Sequence, residues 1–76
     1  MYDVLKDILV SELHVREEDL APTATREEVG LDSLAVLELS TALHERLGIE
    51  VHDYELLDAR TLADVARLMA DRRPGD

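Results

Sequence analysis

Seventy-six residues hold one small hydrophobic core, and a domain of that size buries only about 60% of its chain surface, which argues against a large catalytic cavity and for a carrier, adaptor or binding module. Leu, Ile and Val make up 23 of the residues and the aromatics are Tyr2 and Tyr54, so the chain is apolar enough to fold and its core is aliphatic, as in packed helices. Eighteen acidic residues against eight basic ones give a net charge of −10, which repels phosphate backbones and anionic lipid surfaces, excludes nucleic acid and membrane as partners, and favours a protein with a basic patch.

The first segment, Met1 to His14, carries acids within its apolar stretch and has no basic start or small-residue cleavage site, so it reads as part of the fold and not as a signal peptide. From Asp3 to about Leu13, the residues Val4, Leu5, Ile8, Leu9 and Leu13 recur at helical intervals and predict a first amphipathic helix. The pattern then breaks from about His14 to Leu31, where Pro22, Gly30 and five acids leave only Val15, Leu20 and Val29 to hold a long loop to the core. Within it Thr25-Arg26-Glu27-Glu28 matches a capping box and predicts one helical turn. Loops of this length in compact domains are usually functional.

A second helix is expected to open at Asp32 or Ser33, to run through Leu34, Val36, Leu37, Leu39, Leu43 and Leu47, and to stop at Gly48. Ile49-Glu50-Val51 alternates like a strand but is too short for a sheet, so its two apolar side chains should tuck into the core. A short third helix is expected over Asp53 to Leu57. In the last helix Thr61 caps with Asp64 three residues on, while Leu62, Val65, Ala66 and Met69 form a stripe. Arg72 and Arg73 are expected to oppose the negative end of the dipole there, and Pro74-Gly75 to end the helix. The expected fold is all-α, a small four-helix bundle of three main helices and a short third one, with a long loop between the first two. One domain over 1–76 is expected, with 73–76 as a disordered tail.

Few residues suggest chemistry. His14, His44 and His52 share no helix face, and Glu17-Glu18-Asp19 lacks the alternating oxygens and turn glycine of a calcium loop, so no metal is expected. There is no cysteine, hence no thiolate zinc site or disulfide, which fits a reducing cytoplasm. No nucleophile motif of a hydrolase occurs. What remains is Gly30-Leu31-Asp32-Ser33-Leu34, where the long loop meets the most apolar helix. Asp-Ser before an apolar run is a routine helix cap. The place also suits a modified hydroxyl, because free N–H groups and the positive dipole end favour an attached phosphate, with Leu31 and Leu34 offering apolar contacts on either side.

At this point the sequence resembles the acyl carrier protein family, which includes peptidyl carriers. The resemblance is carried by Leu31-Asp32-Ser33-Leu34, then Val36, Leu37, Glu38, Leu39, Ala42, Leu43 and the Leu47-Gly48-Ile49-Glu50-Val51 run, and by Thr61-Leu62-Ala63-Asp64-Val65, which looks like the family's last helix. It implies that Ser33 receives 4′-phosphopantetheine from coenzyme A through a phosphopantetheinyl transferase, flanked by Asp32 and Leu34, and that acyl groups ride on the terminal thiol of the arm. It implies a monomeric, non-enzymatic carrier that serves acyl-loading and synthase enzymes. Their basic docking patches would meet Asp32, Glu38 and Glu45, with Leu34 and Val36 filling an apolar spot between.

Ala35, His44 and Arg46 stand where fatty-acid carriers commonly have acids, which points toward polyketide or other specialised biosynthesis. The motif also admits an aminoacyl or peptidyl carrier. A rival of another kind is an acidic docking adaptor that is never modified, in which Ser33 is only a helix cap. Leu5, Leu9, Leu37, Leu39, Leu43, Val65 and Met69 are expected to face inward, and an aliphatic core of this kind could part to admit an acyl chain.

Overall fold

The first helix, α1, spans Tyr2–Leu13 and buries Leu5, Ile8 and Leu9, the inner edge of the predicted stripe. It ends where His14 turns left-handed at φ 59° and the Val15 N–H reaches back to the Leu9 carbonyl at 3.0 Å. These features belong to a computed structural model that describes residues 1–72. The expectations for Arg73, for the stop at Pro74-Gly75 and for a tail over 73–76 lie outside the described residues.

The second helix, α2, spans Ser33–Leu47 and closes on Gly48. Gly48 takes φ 68° and donates to the His44 carbonyl, while the Ile49 N–H bonds the Leu43 carbonyl at 3.2 Å, so the last turn's orphan carbonyls are satisfied. Immediately afterwards Ile49 and Val51 are buried and Glu50 is exposed, as the alternation predicts. The Ser40 hydroxyl fixes this segment by donating to the Val51 carbonyl at 2.6 Å.

The short helix α3 spans Asp53–Asp58 and α4 spans Leu62–Asp71. Thr61 caps α4 as expected: the Asp64 N–H donates to Thr61 Oγ1 at 3.2 Å and the Thr61 N–H to Asp64 Oδ2 at 3.3 Å. α1 packs against α2 and α4, and α2 packs against α3. The core they enclose is aliphatic, with Leu5, Leu9, Leu39, Leu43, Val65 and Met69 all inside. On the outside Arg46 of α2 reaches Ser11, Glu12 and Asp7 of α1 at 3.2, 3.4 and 3.8 Å. Such exposed ion pairs contribute about 0–1 kcal/mol each.

The long connection has more order than its sequence suggests. Glu17–Asp19 forms one 3-10 turn, with Arg16 bonding Asp19 at 3.1 Å. The capping box forms as read, with the Thr25 N–H on Glu28 Oε1 at 2.9 Å and the Glu28 N–H on Thr25 Oγ1 at 3.2 Å. The loop then serves α4: the carbonyls of Ala24 and Pro22 accept the N–H groups of Leu62 and Ala63, each at 3.0 Å, beside an isolated bridge between Thr25 and Thr61. Two first-turn donors of α4 are thereby satisfied by residues far away in sequence.

Two sequence expectations need correction here. Arg72 does not turn its guanidinium to the carbonyls of its own helix; both of its described side-chain hydrogen bonds go to Glu55 of α3. The hydrogen bond from Arg72 is the main reason the Glu55 carboxyl sits below its usual pKa, helped by the His52 N–H and opposed by desolvation. A carboxylate depressed in the folded state stabilises the fold above its unfolded pKa and loses that contribution as pH falls through the lower folded value. NMR titration of the Glu55 side chain should therefore give a midpoint below that of a free glutamate, and Arg72→Ala should return it upward.

The other correction concerns α2. Val36, expected to meet partners, is 1% exposed, whereas Leu37, expected inside, is 50% exposed. With Leu39 and Leu43 fixed inside, 3.6-residue geometry brings 36 onto their face and turns 37 outward.

Candidate functional site

The start of α2 is where loop, cap and exposed hydroxyl coincide. Gly30 takes φ 76°, a left-handed conformation open to glycine at little cost, and lets the chain leave the turn toward Leu31. The Leu31 side chain is buried and pins the approach. Asp32 then caps the helix: its Oδ1 accepts the Ala35 N–H at 2.9 Å and its carbonyl accepts the Val36 N–H at 2.9 Å. Of the first-turn donors, the N–H groups of Ser33 and Leu34 are left without a backbone partner in the helix.

Ser33 is the first residue of α2 and is exposed. Asp32 performs the capping, so the Ser33 hydroxyl is not committed to the helix. That outcome separates two roles the sequence left merged, since either residue of the Asp-Ser pair could have been the cap. Leu34 beside it is 64% exposed, while Leu31, expected as the other apolar flank, lies inside. Geometry and chemistry here fit a phosphodiester-linked group: an accessible hydroxyl, unspent amide donors and the positive end of a fifteen-residue helix.

Farther along α2, Leu37, Glu38, Thr41 and Glu45 line a groove of about 350 Å3 with Arg46 and with Glu12 of α1. The residues predicted for docking thus fall into two groups. Asp32, Leu34, Glu38 and Glu45 are exposed, and Val36 belongs to the core. Leu37 was missed as a surface residue, and the signal that finds it is the helical period anchored on Leu39 and Leu43.

Arg26 was also missed. Its guanidinium donates to the Leu31 carbonyl at 3.1 Å and to the Leu57 carbonyl at 3.4 Å, and nothing in a run of charged loop residues marks it as different from its neighbours. The histidines are dispersed: His14 ends α1, exposed His44 lies on α2, and His52 precedes α3 with its ring stacked on Tyr54 at 5.2 Å. Among the described residues no three His, Asp or Glu side chains are grouped to hold a metal ion, and no helix is long and apolar enough to cross a membrane.

Comparison with known proteins identifies the family of the chain. A family model described as phosphopantetheine attachment site matches residues 3–69. The chain is 33% identical over 72 residues to an acyl carrier protein of Clostridium perfringens, covering 93% of this chain and 95% of that one. It is 37% identical over 68 residues to an acyl carrier protein of Wolinella succinogenes, covering 88% and 90%. It also matches a short part, 2%, of the lovastatin diketide synthase mokB of Monascus pilosus, at 31% identity over 64 residues. The fold is similar to that of a free-standing peptidyl carrier protein from Acinetobacter baumannii, with a TM-score of 0.76 over 92% of this chain and 88% of that one at 23% identity. The model match over most of the chain, the full-length relatives and the four-helix architecture agree, and the chain belongs to the phosphopantetheine-binding carrier protein family.

Proposed function

We propose that Ser33 is the attachment residue and that the protein carries acyl intermediates as thioesters on the arm. The observation that carries this reading is the exposed Ser33 hydroxyl at the positive end of α2, left out of the cap by Asp32. In loading, Ser33 Oγ forms a bond to the phosphorus that bears the pantetheine of coenzyme A. The pyrophosphate P–O bond breaks, adenosine 3′,5′-bisphosphate leaves with the electron pair, and the serine proton passes to a base of the transferase. The arm then supplies the thiol that a chain without cysteine lacks. Ser33 holds the arm by its phosphate, the Ser33 and Leu34 amides oppose the phosphate charge, and chemistry on the cargo belongs to partner enzymes, so the protein itself is no enzyme.

Acyl cargo is favoured because the relatives matched along nearly their whole length are acyl carrier proteins. A fatty-acid-like or polyketide pathway fits that cargo, and the matched part of the lovastatin diketide synthase supports the second. A reducing cytoplasm suits an arm that ends in a thiol. The experiment is intact mass spectrometry after incubation with coenzyme A and a promiscuous phosphopantetheinyl transferase. A gain of one phosphopantetheine mapped to Ser33 supports the reading, and an unchanged mass overturns it.

Docking follows from charge and exposure together. Asp32, Glu38 and Glu45 offer carboxylates and Leu34 and Leu37 offer apolar surface along one side of α2, a fit for a partner with Arg or Lys around an apolar contact. Charges farther apart than about 8 Å are largely screened at physiological ionic strength, and complementary fields act mainly on association rates. Association with the transferase should weaken as salt is raised, and Glu38→Lys should weaken it further at low salt. Surface plasmon resonance across a salt series reads both, and indifference to both would remove the electrostatic account.

A further inference from the structure

Arg26 holds Leu31 by both of its backbone groups. The Leu31 N–H donates to the Arg26 carbonyl at 2.9 Å, and the Arg26 guanidinium donates back to the Leu31 carbonyl at 3.1 Å. Leu31 is the last buried residue before Asp32 and Ser33, so this grip fixes the segment that delivers the serine. The other arm of the guanidinium reaches the Leu57 carbonyl at 3.4 Å. That carbonyl lies in the last turn of α3, where carbonyls lack helical partners and a cation opposes the dipole. One side chain therefore spans two elements that do not adjoin in sequence, along a groove lined by Thr25, Glu27, Leu57, Asp58 and Arg60.

This placement carries a cost as well as a gain. Arg26 Nε is buried without a hydrogen-bond partner among the described residues, and an unpaired buried donor is unfavourable. α3 has six residues, too few to persist without tertiary support. Its first turn is held by Glu55 to the His52 N–H and to Arg72, and its last by Arg26. A planar fork that meets two carbonyls suits arginine and not lysine.

We propose that Arg26 is a positioning residue for loading: it couples the serine-bearing start of α2 to α3, so that transfer onto Ser33 requires α3 in place. The proposal rests on Ser33 being the attachment residue. A hydroxyl displaced by an ångström from its in-line position slows the transfer step, while recognition through the exposed side of α2 is unaffected. Loss of Arg26 should therefore lower kcat and spare KM. Simple destabilisation does the reverse, because it lowers the fraction of competent carrier, which saturation overcomes.

The test measures initial rates of phosphopantetheine transfer from coenzyme A, with a promiscuous transferase and the full chain as the varied substrate. Arg26→Met should reduce kcat about tenfold or more with KM nearly unchanged, and Arg26→Lys should not restore it. Leu13→Ala, a partly buried variant on α1, which packs against α2 and α4, should raise KM and leave kcat alone. Amide exchange should quicken together at Leu31–Ala35 and Leu57–Arg60 in Arg26→Met and stay as in the wild type within α1. A wild-type kcat in Arg26→Met, or full recovery in Arg26→Lys, overturns the coupling while loading of the wild type leaves Ser33 standing. A wild type that takes up no phosphopantetheine overturns both.

Discussion

Ser33→Ala is expected to abolish loading entirely and to leave the fold as stable as before. Complete loss follows because the other serines are unsuitable: Ser11 donates to the Asp7 carbonyl one turn back within α1, and Ser40 is committed to the Val51 carbonyl. Neither sits at a helix start, where amide donors remain for a phosphate. The stability half follows from the cap. Asp32 makes that hydrogen bond, and alanine is a better helix former than serine, so the change should stay within about 0.5 kcal/mol. Asp32→Ala is the complementary variant, expected to cost about 0.5–2 kcal/mol. Intact mass and urea unfolding of the two variants read both halves. Phosphopantetheine on the Ser33→Ala chain would refute the assignment, and a large stability loss in it would return the capping role to Ser33.

Leu9→Ala should be the most damaging change in the core. Leu9 is 0% exposed on α1, the helix that packs against both α2 and α4, and it belongs to the shared core, so its loss opens space inside the bundle. Large-to-small substitutions of this kind cost about 2–5 kcal/mol. Domain stabilities run at about 0.05–0.15 kcal/mol per residue, which leaves a chain of 76 residues without much to lose. A clearly lower unfolding midpoint by circular dichroism is expected for Leu9→Ala, whereas Val10→Ala, at a position 37% exposed, should unfold near the wild type. A cooperative transition for Leu9→Ala near that of the wild type would mean that the bundle repacks around the loss.

How much of this could be read from the sequence depended on whether the determining interaction was local. Caps and stops are local, and Thr25 with Glu28, Thr61 with Asp64, and Gly48 after Leu47 all appear where a few consecutive residues specify them. The choice between Asp32 and Ser33 as the cap was undecided because both side chains can accept an N–H and only the backbone conformation selects one. Val36 and Leu37 were exchanged for a related reason. Two adjacent apolar residues satisfy a hydrophobic stripe equally well until the positions of the neighbouring helices fix its centre. Arg26 and Arg72 were invisible as structural residues, since their partners lie 31 and 17 positions away and charge alone names no partner. The 3-10 turn at Glu17–Asp19 was hidden behind its own acidity, which reads as a solvated stretch.

The donation from Leu62 and Ala63 to the carbonyls of Ala24 and Pro22 also dictates an order of assembly. Bonds between residues half the chain or more apart cannot form until the intervening stretch has been drawn into a closed loop, and the entropy of that closure must be met before the bonds repay it. The backbone hydrogen bonds within α1 and within α2 close over four residues, need no such loop, and are free to form first. The connection that leads to Ser33 therefore acquires its final shape only when α4 arrives, which makes the serine's surroundings a late product of folding and ties them to the far end of the described chain.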